Sequence, residues 1–152
     1  MNVEEKDSLL SPSCVLLNLK GSHFTECLQE FLPLVKASAS VIEADKFLQD
    51  VQEREHSSST NTGRGIAFPH ARTHAVGKIF VAIGRSIQGI SLQSDTPPVH
   101  LLFLIGTPPG EIATYLDCMS WLAASVRNVN VYTALLEAQT PEDFITIMQG
   151  DR

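Results

Sequence analysis

Residues 62–72, which read TGRGIAFPHAR, constrain the fold of this chain more than any other segment. A turn containing Gly63 and Gly65 leads into a short apolar run that Pro69 stops, and His70 follows directly. Proline fixes φ at about −65° and has no amide hydrogen. We therefore expect a strand to end there and to place the His70 imidazole where the backbone leaves the sheet. Glycines tolerate positive φ, and the free amides of such a turn can form a concave anion site.

An imidazole is largely neutral and nucleophilic near pH 7. A restrained, accessible His70 can therefore act as a base, a metal ligand or a nucleophile that accepts a group. Spacing alone does not separate these roles from an ordinary surface or half-buried histidine. His74 lies four residues further on, a spacing that suits a metal ion only on a helix, and we predict a loop there. We therefore predict no metal site, and we interpret His100 as a core or strand-flank histidine.

The composition is typical of one folded domain with a substantial core, since 43% of the 152 residues are hydrophobic and 18% are charged. The formal net charge is −6 and the 11 Lys and Arg residues are scattered, which argues against nucleic-acid binding through a basic face. Cys14, Cys27 and Cys118 form no metal-binding pattern. Reduced thiols in a cytoplasmic protein explain them most simply.

Residues 1–9 are acidic, and we expect them to form a flexible N-terminus. They have no positive region before an apolar stretch, so they do not match a secretory signal. No apolar run approaches the roughly 18 residues of a membrane-spanning helix. The sequence therefore predicts no direct membrane insertion.

Hydrophobic periodicity predicts alternating strands and helices over the rest of the chain. Strands are predicted over residues 14–19, 79–85, 89–92 and 99–105. Helices are predicted over residues 43–53, 111–127 and 131–138, with another around 28–35 that Pro33 interrupts and a last one capped by Thr140. The inward stripe of the long helix is predicted to contain Ile112, Leu116, Met119, Leu122, Ala123 and Val126. This order of elements indicates a layered α/β domain.

Residues 65–71, GIAFPHA, resemble the phosphorylation-site motif of the enzyme IIA components of the sugar phosphotransferase system. The similarity is to the fructose/mannitol type, which includes a nitrogen-regulatory paralogue. It covers roughly residues 10–150, and it is also carried by residues 53–55 (ERE) with Ser59 and Thr60, and by residues 78–85, 98–105 and 140–144. The resemblance implies a single-domain, three-layer α/β/α sandwich with a mixed central sheet.

In that family, the histidine that matches His70 takes a phosphoryl group from the carrier protein HPr and passes it onward. The resemblance places Arg54 at the family's active-site arginine, and the planar guanidinium fork suits phosphate oxygens. A cation at the end of the predicted helix is also favoured by the helix dipole alone. Ser59 and Thr60 are candidates to donate hydrogen bonds to the same oxygens, although ordinary turn chemistry explains them equally well. No cofactor and no metal ion are implied.

Tyr115 departs from the family pattern, which commonly has a second histidine just before the leucine that matches Leu116. A phenol can donate a hydrogen bond to a phosphoryl oxygen, but it carries no positive charge near pH 7. We therefore expect Tyr115 to support the phosphoryl group, with slower transfer or with a phospho-form that serves as a signal. A stand-alone, nitrogen-regulatory-type IIA protein that acts on a target protein is the first hypothesis. The alternatives are a sugar-specific component that passes phosphoryl to a IIB protein, and a relative that is never phosphorylated.

Overall fold

The computed structural model describes residues 1–150, which form six α-helices and one mixed sheet. In chain order, the helices are α1 (Val3–Leu9), α2 (Phe24–Ala37), α3 (Ala44–Ser57), α4 (Ile112–Arg127), α5 (Val129–Glu137) and α6 (Pro141–Gln149). The strands are β1 (Val15–Leu16), β2 (Ile66–Ala67), β3 (His70–Arg72), β4 (Phe80–Ile90) and β5 (Val99–Thr107). Within this range, no helix is both long and apolar enough to cross a bilayer.

The sheet is built around the antiparallel pair β4 and β5. Strand β1 pairs with β4 in parallel, and β2 and β3 both pair with β5 in parallel, which gives the strand order β1-β4-β5-β2 with β3 continuing beside β5. The predicted strand at residues 89–92 is not separate, because β4 runs through Gly89 to Ile90 after an irregularity in the β4–β5 register.

Side chains that alternate along β5 supply two hydrophobic cores, one on each face of the sheet. On one face, Leu102 and Leu104 pack with buried residues of α2 and α3. On the other face, Leu101, Phe103 and Ile105 pack with buried residues of α4, α5 and α6. The sheet is thus covered by helices on both sides, and the predicted mixed α/β sandwich is confirmed.

The prediction that the chain leaves the sheet at Pro69 is wrong. Strands β2 and β3 keep one register against β5, with Ile66 opposite Leu101 and His70 opposite Ile105. Proline removes only a donor from the ladder. Its carbonyl still accepts a hydrogen bond from the Ile105 amide at 3.0 Å. The proline therefore interrupts an edge strand without turning it away, and His70 lies at the start of the strand's second half.

Two helices also differ from the sequence expectation. Residues 1–9 were expected to be flexible, whereas Val3–Leu9 form α1, which begins with a capping box between Asn2 and Glu5. The ammonium group of Lys6 lies 5.4 Å from the centre of the Trp121 ring on α4, so the helix contacts the body of the domain. Helix α2 begins at Phe24 and runs through Pro33, which is exposed.

Candidate active site

An open cleft of about 960 Å³ lies at the sheet edge formed by β3. Its walls come from one side of α3, from β3 and the segment that follows it, and from the start of α4. Among the residues predicted to form the site, His70, Arg54 and Tyr115 line this cleft. Three elements that are far apart in sequence therefore bring the imidazole, the guanidinium and the phenol to one place.

His70 is half-buried, and its ring is held by the backbone just before Pro69. The Nδ1 atom lies 2.8 Å from the carbonyl oxygen of Phe68. Because a carbonyl oxygen can only accept, this hydrogen bond requires the proton on Nδ1 and leaves the lone pair on Nε2. Burial lowers the pKa of the His70 imidazole below its usual 6.5. The Phe68 carbonyl works in the opposite direction on that pKa.

Neighbouring charged side chains also act on this ring. Arg54 and Arg72 lower the pKa of His70, whereas Glu55 raises it. The neutral, nucleophilic form of the ring is therefore favoured at neutral pH, and the two positive charges beside it favour an approaching anion.

Arg54 lies in the last turn of α3, as predicted. Its Nη1 donates to the Ser58 carbonyl oxygen at 2.8 Å, which anchors the side chain at the end of its own helix. The side chain is exposed and lines the cleft. The guanidinium has five N–H donors, so this single contact leaves donors for phosphate oxygens.

Arg72 was missed by the sequence analysis. It lies two residues after His70 on β3, and residues i and i+2 of a strand point to the same face. Arg72 lines the cleft and forms no hydrogen bond or ion pair with another side chain in residues 1–150. The spacing of two residues between His70 and Arg72 would have identified Arg72 in a strand. It was overlooked because this segment was predicted to be a loop.

Tyr115 occupies the side of the cleft formed by α4. The centres of the His70 and Tyr115 rings are 5.3 Å apart, with an angle of 39° between the ring planes. Burial raises the pKa of the Tyr115 phenol, and the charges of Arg54 and Arg72 only oppose this shift. The phenol therefore stays protonated and can donate a hydrogen bond to a group placed on the imidazole.

Ser59 and Thr60 do not line the cleft. The Ser59 hydroxyl accepts a hydrogen bond from the Asn61 amide at 3.1 Å, which is ordinary turn chemistry. The Thr60 hydroxyl donates to the carboxylate of Glu55 at 2.6 Å. In this structure the Thr60 hydroxyl therefore faces a buried carboxylate, which needs a donor, and the Ser59 hydroxyl serves the turn.

Two residues of the predicted inward stripe of α4 point outward. Ile112 and Leu116 are 48% and 56% exposed and line the cleft, whereas Cys118, Leu122 and Val126 face the sheet. The side chains of Ile112 and Leu116 are therefore left uncovered at the cleft. They give the cleft an apolar rim next to its charged centre.

The cleft combines a neutral imidazole that has a free lone pair, two guanidinium groups and a phenol donor. Within residues 1–150, no group of three or more His, Cys, Asp or Glu side chains is arranged to hold a metal ion. Cationic donors beside a neutral nucleophile can stabilise the oxygens of a group that is transferred to that nucleophile.

Residues 8–150 match the family model for the phosphoenolpyruvate-dependent sugar phosphotransferase system, EIIA 2. The chain belongs to this family. Its relatives include fructose-specific EIIA components and nitrogen regulatory proteins. A fructose-specific EIIA component from Haloferax volcanii is 37% identical over 112 residues, which cover 73% of each chain. A nitrogen regulatory protein from Pseudomonas aeruginosa is 26% identical over 143 residues, which cover 93% of each chain.

Longer EIIA relatives also match. A fructose-specific EIIABC component from Bacillus subtilis is 30% identical over 141 residues, and the chain spans only 22% of that protein's length. The crystal structure of nitrogen regulatory protein IIA-Ntr from Neisseria meningitidis has the same fold, with a TM-score of 0.85 and 22% identity over 95% of this chain and 99% of that one. The sequence relatives of this chain are therefore named both as fructose-specific components and as nitrogen regulatory proteins.

Proposed function

We propose that this EIIA protein is a cytoplasmic histidine phosphocarrier that accepts a phosphoryl group from phospho-HPr on Nε2 of His70. The observation that carries the proposal is the 2.8 Å contact between Nδ1 and the Phe68 carbonyl in a ring that two arginines flank. This contact keeps the proton on the inner nitrogen. The outer nitrogen is then the nucleophile.

In the proposed transfer, the Nε2 lone pair attacks phosphorus in line with the P–N bond of the phosphohistidine on HPr. A new P–N bond forms on His70, and the old bond breaks with its electron pair returning to the HPr imidazole. The His70 ring gains positive charge and keeps its Nδ1 proton on the Phe68 carbonyl. Arg54 and Arg72 stabilise the equatorial oxygens, and Tyr115 donates a hydrogen bond to one of them. Positioning of the reactants and electrostatic stabilisation provide most of the rate acceleration.

The first candidate for the onward step is a nitrogen-regulatory role, in which the phosphorylation state of His70 changes binding to a target protein. Residues 65–67 and 69–72 support it by their resemblance to the regulatory branch, and the Pseudomonas nitrogen regulatory protein supports it as a relative over 93% of the chain. Tyr115 suits a phospho-form that persists as a signal, because a neutral phenol stabilises the transfer less than a cationic side chain does.

A second candidate is a sugar-specific role, in which His70 passes its phosphoryl group to a IIB component. Sequence identity favours it, since the fructose-specific relatives are 37% and 30% identical, compared with 26% for the Pseudomonas regulatory protein. A solved complex of IIA mannitol with phosphorylated IIB mannitol, whose IIA part has this fold, shows that such a fold can dock on a IIB protein.

The proposal is tested by incubating the protein with phosphoenolpyruvate, enzyme I and HPr and measuring its intact mass. We expect a gain of one phosphoryl group that is lost in acid, and no gain in His70→Ala. Wild-type protein that stays unmodified beside a labelled EIIA control would contradict the proposal. Adding a fructose-type IIB domain to the purified phospho-form then separates the two roles. Rapid loss of the group to IIB supports transport, and retention supports regulation.

A further inference from the structure

Glu55 is a carboxylate in the core that the proposed chemistry leaves unexplained. It follows Arg54 on α3, and it is only 3% exposed. Its two oxygens accept hydrogen bonds from the Thr60 amide at 2.8 Å and from the Thr60 hydroxyl at 2.6 Å. Burying a carboxylate costs free energy unless donors compensate. The buried carboxylate therefore calls for an explanation, and the further hydrogen bonds of Thr60 provide it.

The Thr60 hydroxyl connects Glu55 to the backbone beside His70. Its oxygen accepts a hydrogen bond from the Phe68 amide at 3.2 Å, while its proton goes to Glu55. The carbonyl of that same Phe68 receives the Nδ1 proton of His70 at 2.8 Å. A continuous chain of hydrogen bonds therefore runs from the buried carboxylate, through a hydroxyl and one residue of backbone, to the imidazole.

This chain supplies a hydrogen-bond partner for the Phe68 backbone amide, and Phe68 is one of the two residues, 68 and 69, that lie between β2 and β3. Phe68 lies in the gap between β2 and β3, where the pairing with β5 is interrupted. The Thr60 hydroxyl supplies the partner for its amide. The orientation of the Phe68 carbonyl, and with it the tautomer of His70, thus depends on a side-chain contact.

We propose that Glu55 and Thr60 are positioning residues, which hold the Phe68 carbonyl so that His70 keeps its proton on Nδ1 and presents Nε2 to the phosphoryl donor. The carboxylate also places negative charge behind the ring, where the phosphorylated imidazole carries positive charge. This inference rests on the proposed function for its consequence in transfer, but the tautomer itself is a property of the unmodified protein.

The charged and titratable groups that act on the His70 ring come from three elements. Arg54 and Glu55 belong to α3, Arg72 to β3 and Tyr115 to α4. Only Glu55 among them adds negative charge. Replacing it with a neutral residue therefore leaves the ring with cations alone, and the pKa of His70 falls further.

The test is nitrogen-15 NMR of the His70 ring in unphosphorylated wild type, Thr60→Val, Thr60→Ser and Glu55→Gln. Wild type and Thr60→Ser should show the Nδ1–H tautomer, whereas Thr60→Val should show a mixture with the Nε2–H tautomer. The rate of phosphorylation by phospho-HPr should fall about tenfold in Thr60→Val and recover in Thr60→Ser, the scale of effect seen when residues that orient a functional ligand are lost. Glu55→Gln should lower the pKa of His70.

Matched controls separate positioning from general loss of structure. Glu30→Gln removes another carboxylate that holds loop amides, those of Lys20 and Gly21, and Thr146→Val removes an exposed threonine hydroxyl. Both should leave the tautomer and the rate unchanged. A wild-type tautomer and rate in Thr60→Val, together with an unchanged pKa of His70 in Glu55→Gln, would overturn the inference while leaving the phosphocarrier intact. A changed tautomer with no phosphorylation of wild type would instead contradict only the proposed function.

Discussion

The guanidinium of Arg85 and those of Arg54 and Arg72 use their N–H donors in opposite ways. Arg85, on β4, is buried, and within the described residues 1–150 it donates only to backbone carbonyls. Its Nε bonds to Leu17 at 3.0 Å, and its Nη1 bonds to Leu135 at 3.0 Å, Leu136 at 3.2 Å and Ala138 at 2.7 Å. The last three carbonyls belong to the C-terminal end of α5, where the helix dipole favours a cation.

Arg54 and Arg72 are exposed and have donors to spare. Arg54 donates one hydrogen bond, to the Ser58 carbonyl, and the Arg72 guanidinium forms no hydrogen bond or ion pair within residues 1–150. A guanidinium whose N–H donors are bonded to carbonyls stabilises the fold. A guanidinium that faces a cleft and keeps unbonded N–H donors is available to bind an anion. We therefore expect Arg85 to control stability and the cleft arginines to control transfer.

Replacing Arg85 with Met should have the largest effect. It leaves the carbonyls of Leu17, just after β1, and of the C-terminal end of α5 without a donor, so the free energy of unfolding should fall by about 4 kcal/mol. Urea unfolding measures this change. Arg127→Met, on the exposed last turn of α4, should change stability by only about 0.5 kcal/mol. Equal losses in the two variants would show that Arg85 is not structural.

Arg54→Gln should reverse that pattern. The rate of His70 phosphorylation by phospho-HPr should fall by about 100-fold, the effect of losing one group that stabilises transition-state charge. Stability should change by less than about 0.5 kcal/mol, because only one exposed hydrogen bond is lost. Single-turnover phosphorylation measures the rate, with Arg127→Gln as the control for a helix-terminal arginine outside the cleft. Similar phosphorylation rates in these two variants would show that Arg54 does not contribute to phosphoryl transfer.

The pKa of His70 gives a smaller, pH-dependent test. Burial and the cleft arginines lower this pKa, so the ring should stay neutral in the folded protein below pH 6.5, where an unfolded chain takes up the proton. Stability from this site is therefore present above pH 6.5 and is lost as the pH falls through and below that value. NMR titration should show a midpoint below 6.5 that rises in Arg72→Gln. A titration midpoint that is unchanged in Arg72→Gln would show that the charge of Arg72 does not act on the His70 ring.

Tyr115→Phe should have the smallest effect. It removes one neutral donor and keeps the ring that packs against His70 at 5.3 Å. The phosphorylation rate should fall about threefold, as expected for one hydrogen bond. Tyr115→His should instead raise the rate or shorten the life of the phospho-form, because an imidazole can carry charge. An unchanged rate in the phenylalanine variant would assign Tyr115 to packing alone.

Much of the fold could be predicted because its signals are local. Apolar runs marked β4 and β5, and Thr140 with Pro141 marked the start of α6. The break at Pro69 was located correctly, but its consequence was not. Whether a strand resumes after a proline depends on whether the proline carbonyl finds a donor across the sheet, and Ile105 is 36 residues away.

The site was predicted where resemblance to the family supplied the residues, and it was missed where only three-dimensional contacts define the role. Arg72 became visible once β3 put it on the same face as His70. The role of the Thr60 hydroxyl was left open between phosphate binding and turn chemistry, because nothing in the sequence shows that Glu55 is buried and bonded to it. Long-range pairing and burial of charge decide such roles, and neither has a periodic signal in the chain.

The most direct test of the central claim is to find which nitrogen of His70 carries phosphorus. The protein is labelled with nitrogen-15, phosphorylated by enzyme I and HPr, and examined by NMR that correlates the ring nitrogens with the attached phosphorus and ring protons. Phosphorus on Nε2, with the proton retained on Nδ1, is the predicted result. Phosphorus on Nδ1, or on a residue other than His70, would contradict it.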